Sequence, residues 1–169
     1  MLDKEKIKVV RNAIKQNDLN LVKSLVMEDK ELMNADTVFG SWLHVAAAHG
    51  KVEIAEFLIE CGLDVNRNGG ISGGTPVRCA ASDGHLDIIK LLHQNGAMFD
   101  VSEATKNPLF GAICNGHYEV AKYLIENGID ITIKYPIGKL DNVDTYEYAR
   151  QFGQTKIADF IKEKLKETV

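Results

Sequence analysis

Apolar and polar positions recur along this chain at a helical spacing, and the whole pattern is itself repeated. In residues 75–92, Val77, Ala80 and Ala81 precede Gly84, and Ile88, Leu91 and Leu92 follow it. Side chains three and four residues apart share one face of a helix, so the first set predicts a short leading helix and the second a trailing one. Gly84 between them provides the positive φ of a tight reversal. Thr75 is an N-cap residue type, and Pro76 suits the first helical position, where its missing N–H costs nothing.

Anchoring the template on the turn glycine gives Gly50, Gly84, Gly116 and Gly153, at intervals of 34, 32 and 37 residues. Seven residues before each anchor stands Leu43, Val77, Leu109 or Tyr146; four before it stands Ala46, Ala80, Ala112 or Ala149. N-cap types precede every copy, as Ser41, Thr75, Asn107 and Asp144. The trailing helices repeat as Ile54/Phe57/Leu58, Ile88/Leu91/Leu92, Val120/Tyr123/Leu124 and Ile157/Phe160/Ile161. A degenerate fifth copy opens the chain with Val10, Ala13, Asn17, Leu21 and Leu25, where Asn17 takes the turn position because Asn tolerates the left-handed region. Gly62, Gly96 and Gly128 are placed to close the trailing helices, whereas Leu165 in the last copy lets its helix run on. Such a period predicts a stacked array of helix pairs with polar end units, the first helix carrying Lys4, Glu5, Lys8, Arg11 and Lys15 on a solvated outer side. Between units, Ile131, Ile133 and Tyr135 alternate ahead of Pro136-Ile137-Gly138, which predicts a short hairpin.

The stretches Gly40-Ser41-Trp42-Leu43-His44-Val45-Ala46-Ala47 and Gly74-Thr75-Pro76-Val77-Arg78-Cys79-Ala80-Ala81, with the tails Gly62-Leu63-Asp64-Val65-Asn66 and Gly128-Ile129-Asp130-Ile131, resemble the ankyrin repeat. Departures are local: Trp42 stands for the motif's proline, and Arg78, Phe110 and Glu147 stand for its histidine. The resemblance implies an all-α ankyrin-repeat solenoid of about five helix-turn-helix units in one domain spanning 1–169. The approximate units are 3–34, 35–67, 68–100, 101–133 and 134–169, with short hairpin-like loops between them.

Composition narrows the function. The chain has 169 residues, is 45% hydrophobic and 26% charged, and carries a formal net charge of −4. An acidic balance argues against nucleic acid, whose binders need a basic stripe to replace condensed counterions. No run approaches the length of a membrane span, and the charged start Met1-Leu2-Asp3-Lys4-Glu5-Lys6 lacks the apolar core of a secretory signal, so a cytoplasmic, monomeric protein is expected. Cys61, Cys79 and Cys114 are odd in number and scattered, which predicts reduced thiols.

Candidate chemistry does not accumulate. His85 and His117 occupy the same slot after successive turn glycines and His44 the motif's histidine slot, a repetition that reads as structural. Cys79 lies on an apolar helix face, as a small buried hydrophobe would. The glycine-rich run Asn66 to Gly74 precedes a helix, but neither a Gly-Lys-Ser/Thr nor a GxGxxG spacing is present, so it predicts an inter-unit turn rather than a phosphate cradle. No catalytic residue, metal site or cofactor is expected.

What the resemblance then implies is a non-catalytic scaffold that binds a partner protein on its concave face of turn tips and leading helices. An inhibitor or immunity-type protein that neutralises one enzyme is a narrower version of this, and an enzyme with an unrecognised site is a separate alternative. Carried over position by position, the turn tips are Thr37, Val38 and Phe39 with Trp42, then Ile71 and Ser72, then Glu103 and Lys106, then Val143. The slots before the turn glycines add His49, Ser82, Asp83, Asn115, Gln151 and Phe152, and Arg78 stands in a histidine slot. Phe39 and Trp42 are alternatively internal packing groups beside the first unit.

Overall fold

In the computed structural model, which describes residues 3–71 and 73–167, each copy of the template is a helix pair. The pairs are α1 (Lys4–Lys15) with α2 (Leu19–Met27), α4 (Trp42–Ala48) with α5 (Val52–Glu60), and α6 (Pro76–Asp83) with α7 (Leu86–Gln94). They continue as α8 (Pro108–Cys114) with α9 (Tyr118–Glu126), and α10 (Thr145–Gln151) with α11 (Thr155–Glu167). Ser72 lies outside the described residues.

The expected turn residues carry the reversal. Gly50, Gly84, Gly116 and Gly153 have φ of 65°, 79°, 74° and 69°, and Asn17 takes the same turn at 60°. Ser41, Thr75, Asn107 and Asp144 are the N-caps of the leading helices. Asn107 accepts from Leu109 N–H at 2.8 Å and Asp144 from Glu147 N–H at 2.9 Å. The Thr75 hydroxyl is buried with no hydrogen-bond partner among the described residues. α11 extends past the point where the other trailing helices stop, as Leu165 predicts.

Leading helices pack in one row (α1, α4, α6, α8, α10) and trailing helices in a second (α2, α5, α7, α9, α11). One hydrophobic cluster runs between the rows from Val10 to Ile161. Ala46, Ala80, Ala112 and Ala149 are fully buried, the small side chains that let neighbouring leading helices approach. Across the two central unit boundaries an imidazole staples one turn to the next. His85 Nε2–H donates to Ala48 O at 3.2 Å and His117 Nε2–H to Ser82 O at 3.0 Å. Their rings lie over Gly50 and Gly84, and Gln154 takes the same place over Gly116.

The long inter-unit segment contains the expected hairpin, β1 (Tyr135–Ile137) antiparallel to β2 (Leu140–Val143), with Tyr135 opposite Val143. Tyr135 ties it to the preceding unit, its hydroxyl donating to Val101 O at 2.6 Å and accepting from Asn107 Nδ2 at 3.1 Å.

Two features differ from the sequence reading. The inner face of α2 is Val22 and Val26, with Leu21 exposed and Leu25 half-buried, so the buried stripe is rotated by one residue. α2 ends the row and has one trailing neighbour, α5, so its face need satisfy packing on a single side. The segment after it also forms a one-turn helix, α3 (Lys30–Met33), capped by Asp29, which accepts from Glu31 and Leu32 N–H at 3.1 Å each.

Candidate functional site

The leading helices present one face to the core and another away from it. Counting back from each turn residue, the sixth position reads Arg11, His44, Arg78, Phe110 and Glu147, and the second reads Lys15, Ala48, Ser82, Cys114 and Gln151. These positions are i and i+4 on the same helix, so each pair forms one rung of the surface. Over the first three rungs the surface deepens into a groove of about 460 Å³, whose lining includes Arg11, Lys15, Phe39, His44, Ile71 and Arg78. A volume of this size lies in the range of ligand pockets, roughly 300–1,000 Å³.

Most of the groove's polar groups are held in place. Arg78 lies across α8: its Nε–H donates to Thr105 O at 2.9 Å and its Nη1 meets Ser82 Oγ. Gly111 makes room for this, since a Cβ there would fall 2.5 Å from Arg78 Nη1. Burial lowers the Arg78 pKa from its ordinary value, but a guanidinium remains a cation at neutral pH. Arg11 stacks its guanidinium on Phe39, 4.7 Å from the ring centre. Its Nε is buried without an acceptor, and Arg11 makes no ion pair among the described residues.

His44 is a strut rather than a contact group. Its Nδ1 accepts from Ser41 N–H at 3.2 Å and Ser41 Oγ–H at 2.9 Å, which leaves Nε2–H to donate to Gly74 O at 3.1 Å. Burial, ahead of all other influences, lowers its pKa, so the ring is neutral in this role. His49 is also lowered, by partial burial and then by the Lys15 charge. The Cys79 thiol is pushed up to about 11 by burial and lines the groove as a protonated, apolar group.

Of the residues expected on the concave face, Phe39, His49, Ile71, Arg78, Ser82 and Asp83 meet around this groove. Ile71 stands out at 88% exposed and Val38 beside the tip at 72%. Thr37 closes the tip itself, its hydroxyl donating to Gly40 O at 2.8 Å. Glu103 and Lys106 pair with each other at 2.7 Å on the next tip. Asn115, Gln151 and Phe152 are exposed farther along, and Phe152 lies against Tyr148 at 4.5 Å between ring centres. That aromatic run continues to Phe110, whose ring centre lies 4.3 Å from that of Tyr148.

Two expected contact residues are not at the surface. Trp42 is 0% exposed, with its indole N–H donating to Leu32 O at 2.6 Å, so it fills the junction with the first unit instead of meeting a partner. Val143 is buried as the residue paired with Tyr135. Arg11 and Lys15 are the converse: as part of a charged end helix they read as a solvated outer face, yet they line the groove. The signal was in the register, because counting back from Asn17 puts them in the slots of Arg78 and Ser82.

Residues 43–135, more than half of the chain, match the family description "Ankyrin repeats (3 copies)". The chain belongs to the ankyrin repeat family. Similar proteins include glycerophosphocholine phosphodiesterase GDE1 of Candida albicans, 29% identical over 67% of this chain and 10% of that protein. Alpha-latrocrustotoxin-Lt1a of Latrodectus tredecimguttatus is 33% identical over 69% of this chain and 8% of its own length. An ankyrin repeat protein of Rickettsia felis is 34% identical over 54% of this chain and 44% of its own length. The chain thus spans less than half of each of these relatives.

Ankyrin repeats generally mediate protein–protein interaction and are typically non-enzymatic. Among the described residues, no group of three or more His, Cys, Asp and Glu side chains could hold a metal ion. No described helix is long and apolar enough to cross a membrane.

Proposed function

We propose that this ankyrin repeat chain is a non-catalytic scaffold that seats a partner protein on its concave face, chiefly in the groove between α1, α4 and α6. The observation that carries this reading is the groove itself, where Phe39 and the protruding Ile71 stand beside two arginines. Aromatic and arginine side chains are the groups that dominate interface hot spots. The absence of catalysis is supported by the state of the reactive side chains in the groove. The Cys79 thiol is held protonated and the His44 imidazole is committed at both nitrogens to backbone and Ser41.

The experiment is affinity capture of a partner from the native host, followed by binding measurements on Phe39→Ala and Ile71→Asp with folding checked by circular dichroism. Loss of about tenfold or more in affinity for each variant is expected, since hot-spot truncations cost about 2 kcal/mol or more. Unchanged affinity in both variants would remove the concave groove as the binding site.

A further inference from the structure

We infer that the groove takes a partner segment in which a carboxylate side chain stands next to a large apolar one, the carboxylate between Arg11 and Arg78 and the apolar group on Phe39 and Ile71. This deepens the concave-face reading and rests on it. The first ground is charge: Arg11, Lys15 and Arg78 line the groove against one acid, Asp83, although the chain as a whole is at −4. A local excess of cations inside an acidic protein favours an acidic partner by sign complementarity.

The second ground is what these cations lack. Arg11 makes no hydrogen bond or ion pair among the described residues, and its Nε is already stripped of water with no acceptor supplied. With no internal acceptor compensating the charge, the remaining guanidinium N–H groups of Arg11 are left to form charge-assisted hydrogen bonds to an incoming carboxylate. Arg78 has Nε and Nη1 engaged by Thr105 O and Ser82 Oγ, while Nη2 has no partner among the described residues. Both guanidinium planes are fixed in advance, Arg11 by Phe39 and Arg78 by α8, so little rotamer entropy remains to be lost on binding.

The third ground is the company they keep. The same groove carries Phe39, Val45, Ala48, Cys79 and Ile71, a surface that an apolar side chain adjacent to the acid can cover. Asp83 on the wall penalises a dianion more than a single carboxylate, which selects Asp or Glu over a phosphorylated side chain.

The test uses the full chain as bait for a phage-displayed library of random dodecapeptides. Enriched sequences should carry Asp or Glu within two residues of Leu, Ile, Phe or Trp. The best peptide, synthesised and measured by fluorescence anisotropy, should bind about tenfold more weakly to Arg11→Gln and to Arg78→Gln, as expected for a lost charge-assisted hydrogen bond. Changing the peptide's acid to its amide should cost as much on wild type and little more on either variant, a readout that needs no altered protein. Replacing the acid by phosphoserine should weaken binding.

Enriched peptides without acids, or with acids whose amides bind equally well, would overturn the inference, as would tighter binding of the phosphoserine peptide or a library that yields no binder. If such peptides still lost affinity for Ile71→Asp, the concave-face reading would stand while the acidic specificity fell. If Ile71→Asp, Phe39→Ala and the arginine variants were all silent, both would fall.

Discussion

Substituting alanine for the turn glycines separates backbone strain from the contact between units. At Gly96, φ is 87° and an added Cβ meets nothing within 4 Å, so the substitution carries the left-handed strain alone. That strain is about 1–2 kcal/mol, offset by roughly 0.4–1 kcal/mol from the less flexible unfolded chain. Gly96→Ala should therefore cost about 1 kcal/mol. At Gly84, φ is 79°, and the Cβ would fall 2.6 Å from His117 Nδ1 and 2.7 Å from Cε1. The ring must move, and moving it breaks the bond from His117 Nε2 to Ser82 O. A lost hydrogen bond of about 1 kcal/mol and overpacking of about 1–3 kcal/mol raise the total for Gly84→Ala to about 3–5 kcal/mol. Urea unfolding followed by far-UV circular dichroism reads the ordering. A central position should be felt by the whole array, because neighbouring units stabilise one another. In the Gly84→Ala/His117→Ala double variant the steric part vanishes and the shared hydrogen bond is lost only once, so the two changes should be non-additive by about 2–4 kcal/mol. Equal midpoints for Gly84→Ala and Gly96→Ala would refute the idea that the histidine staple constrains the turn.

Other perturbations probe the remaining contacts. Trp42→Phe leaves Leu32 O without its donor and a void behind the ring, and should lower stability by about 1–3 kcal/mol in the same assay. Burial holds the folded-state pKa of His44 below the ordinary 6.5, so the unfolded chain takes up a proton first as pH falls. The stability associated with neutral His44 is thus fully present above about pH 6.5, declines below it and levels off once the folded ring protonates. His44→Gln should flatten that part of the pH profile of the urea midpoint relative to wild type. Gly111→Ala gains up to about 1 kcal/mol of helix propensity but displaces the Arg78 guanidinium from Thr105 O and Ser82 Oγ at a similar cost, so it should change stability by no more than about 1 kcal/mol yet weaken acidic-peptide binding in anisotropy.

The periodic parts of this fold were legible because each depends on one residue's local chemistry. A positive φ selects Gly or Asn at the turn, and a helix start selects a capping side chain, so Gly84 or Asp144 announces its role without knowledge of neighbours. Burial against another unit is a property of the stack. Trp42 follows the Phe39 turn tip in sequence yet turns inward because the first unit leaves a space under Leu32. Val143 sits at a loop tip in the sequence register but is drawn in by its pairing with Tyr135. For α2, a one-sided end position shifts the inner face to Val22 and Val26, which no internal copy could announce. Arg11 and Lys15 lay within reach of the sequence, since the register that marks Arg78 and Ser82 marks them too. Their shared helix with Lys4, Glu5 and Lys8 made a solvated face the simpler reading. The groove's depth and the orphaned Arg11 Nε depend on how Phe39 folds back over α1, a tertiary contact.

The most direct test of concave-face binding is hydrogen–deuterium exchange of the chain with and without its captured partner. Added protection is expected in residues 37–40 and 69–71, α4 and α6, with the exposed faces of α5, α7 and α9 unchanged. Protection concentrated on those trailing helices, with the tips and leading helices exchanging as in the free chain, would contradict concave-face binding.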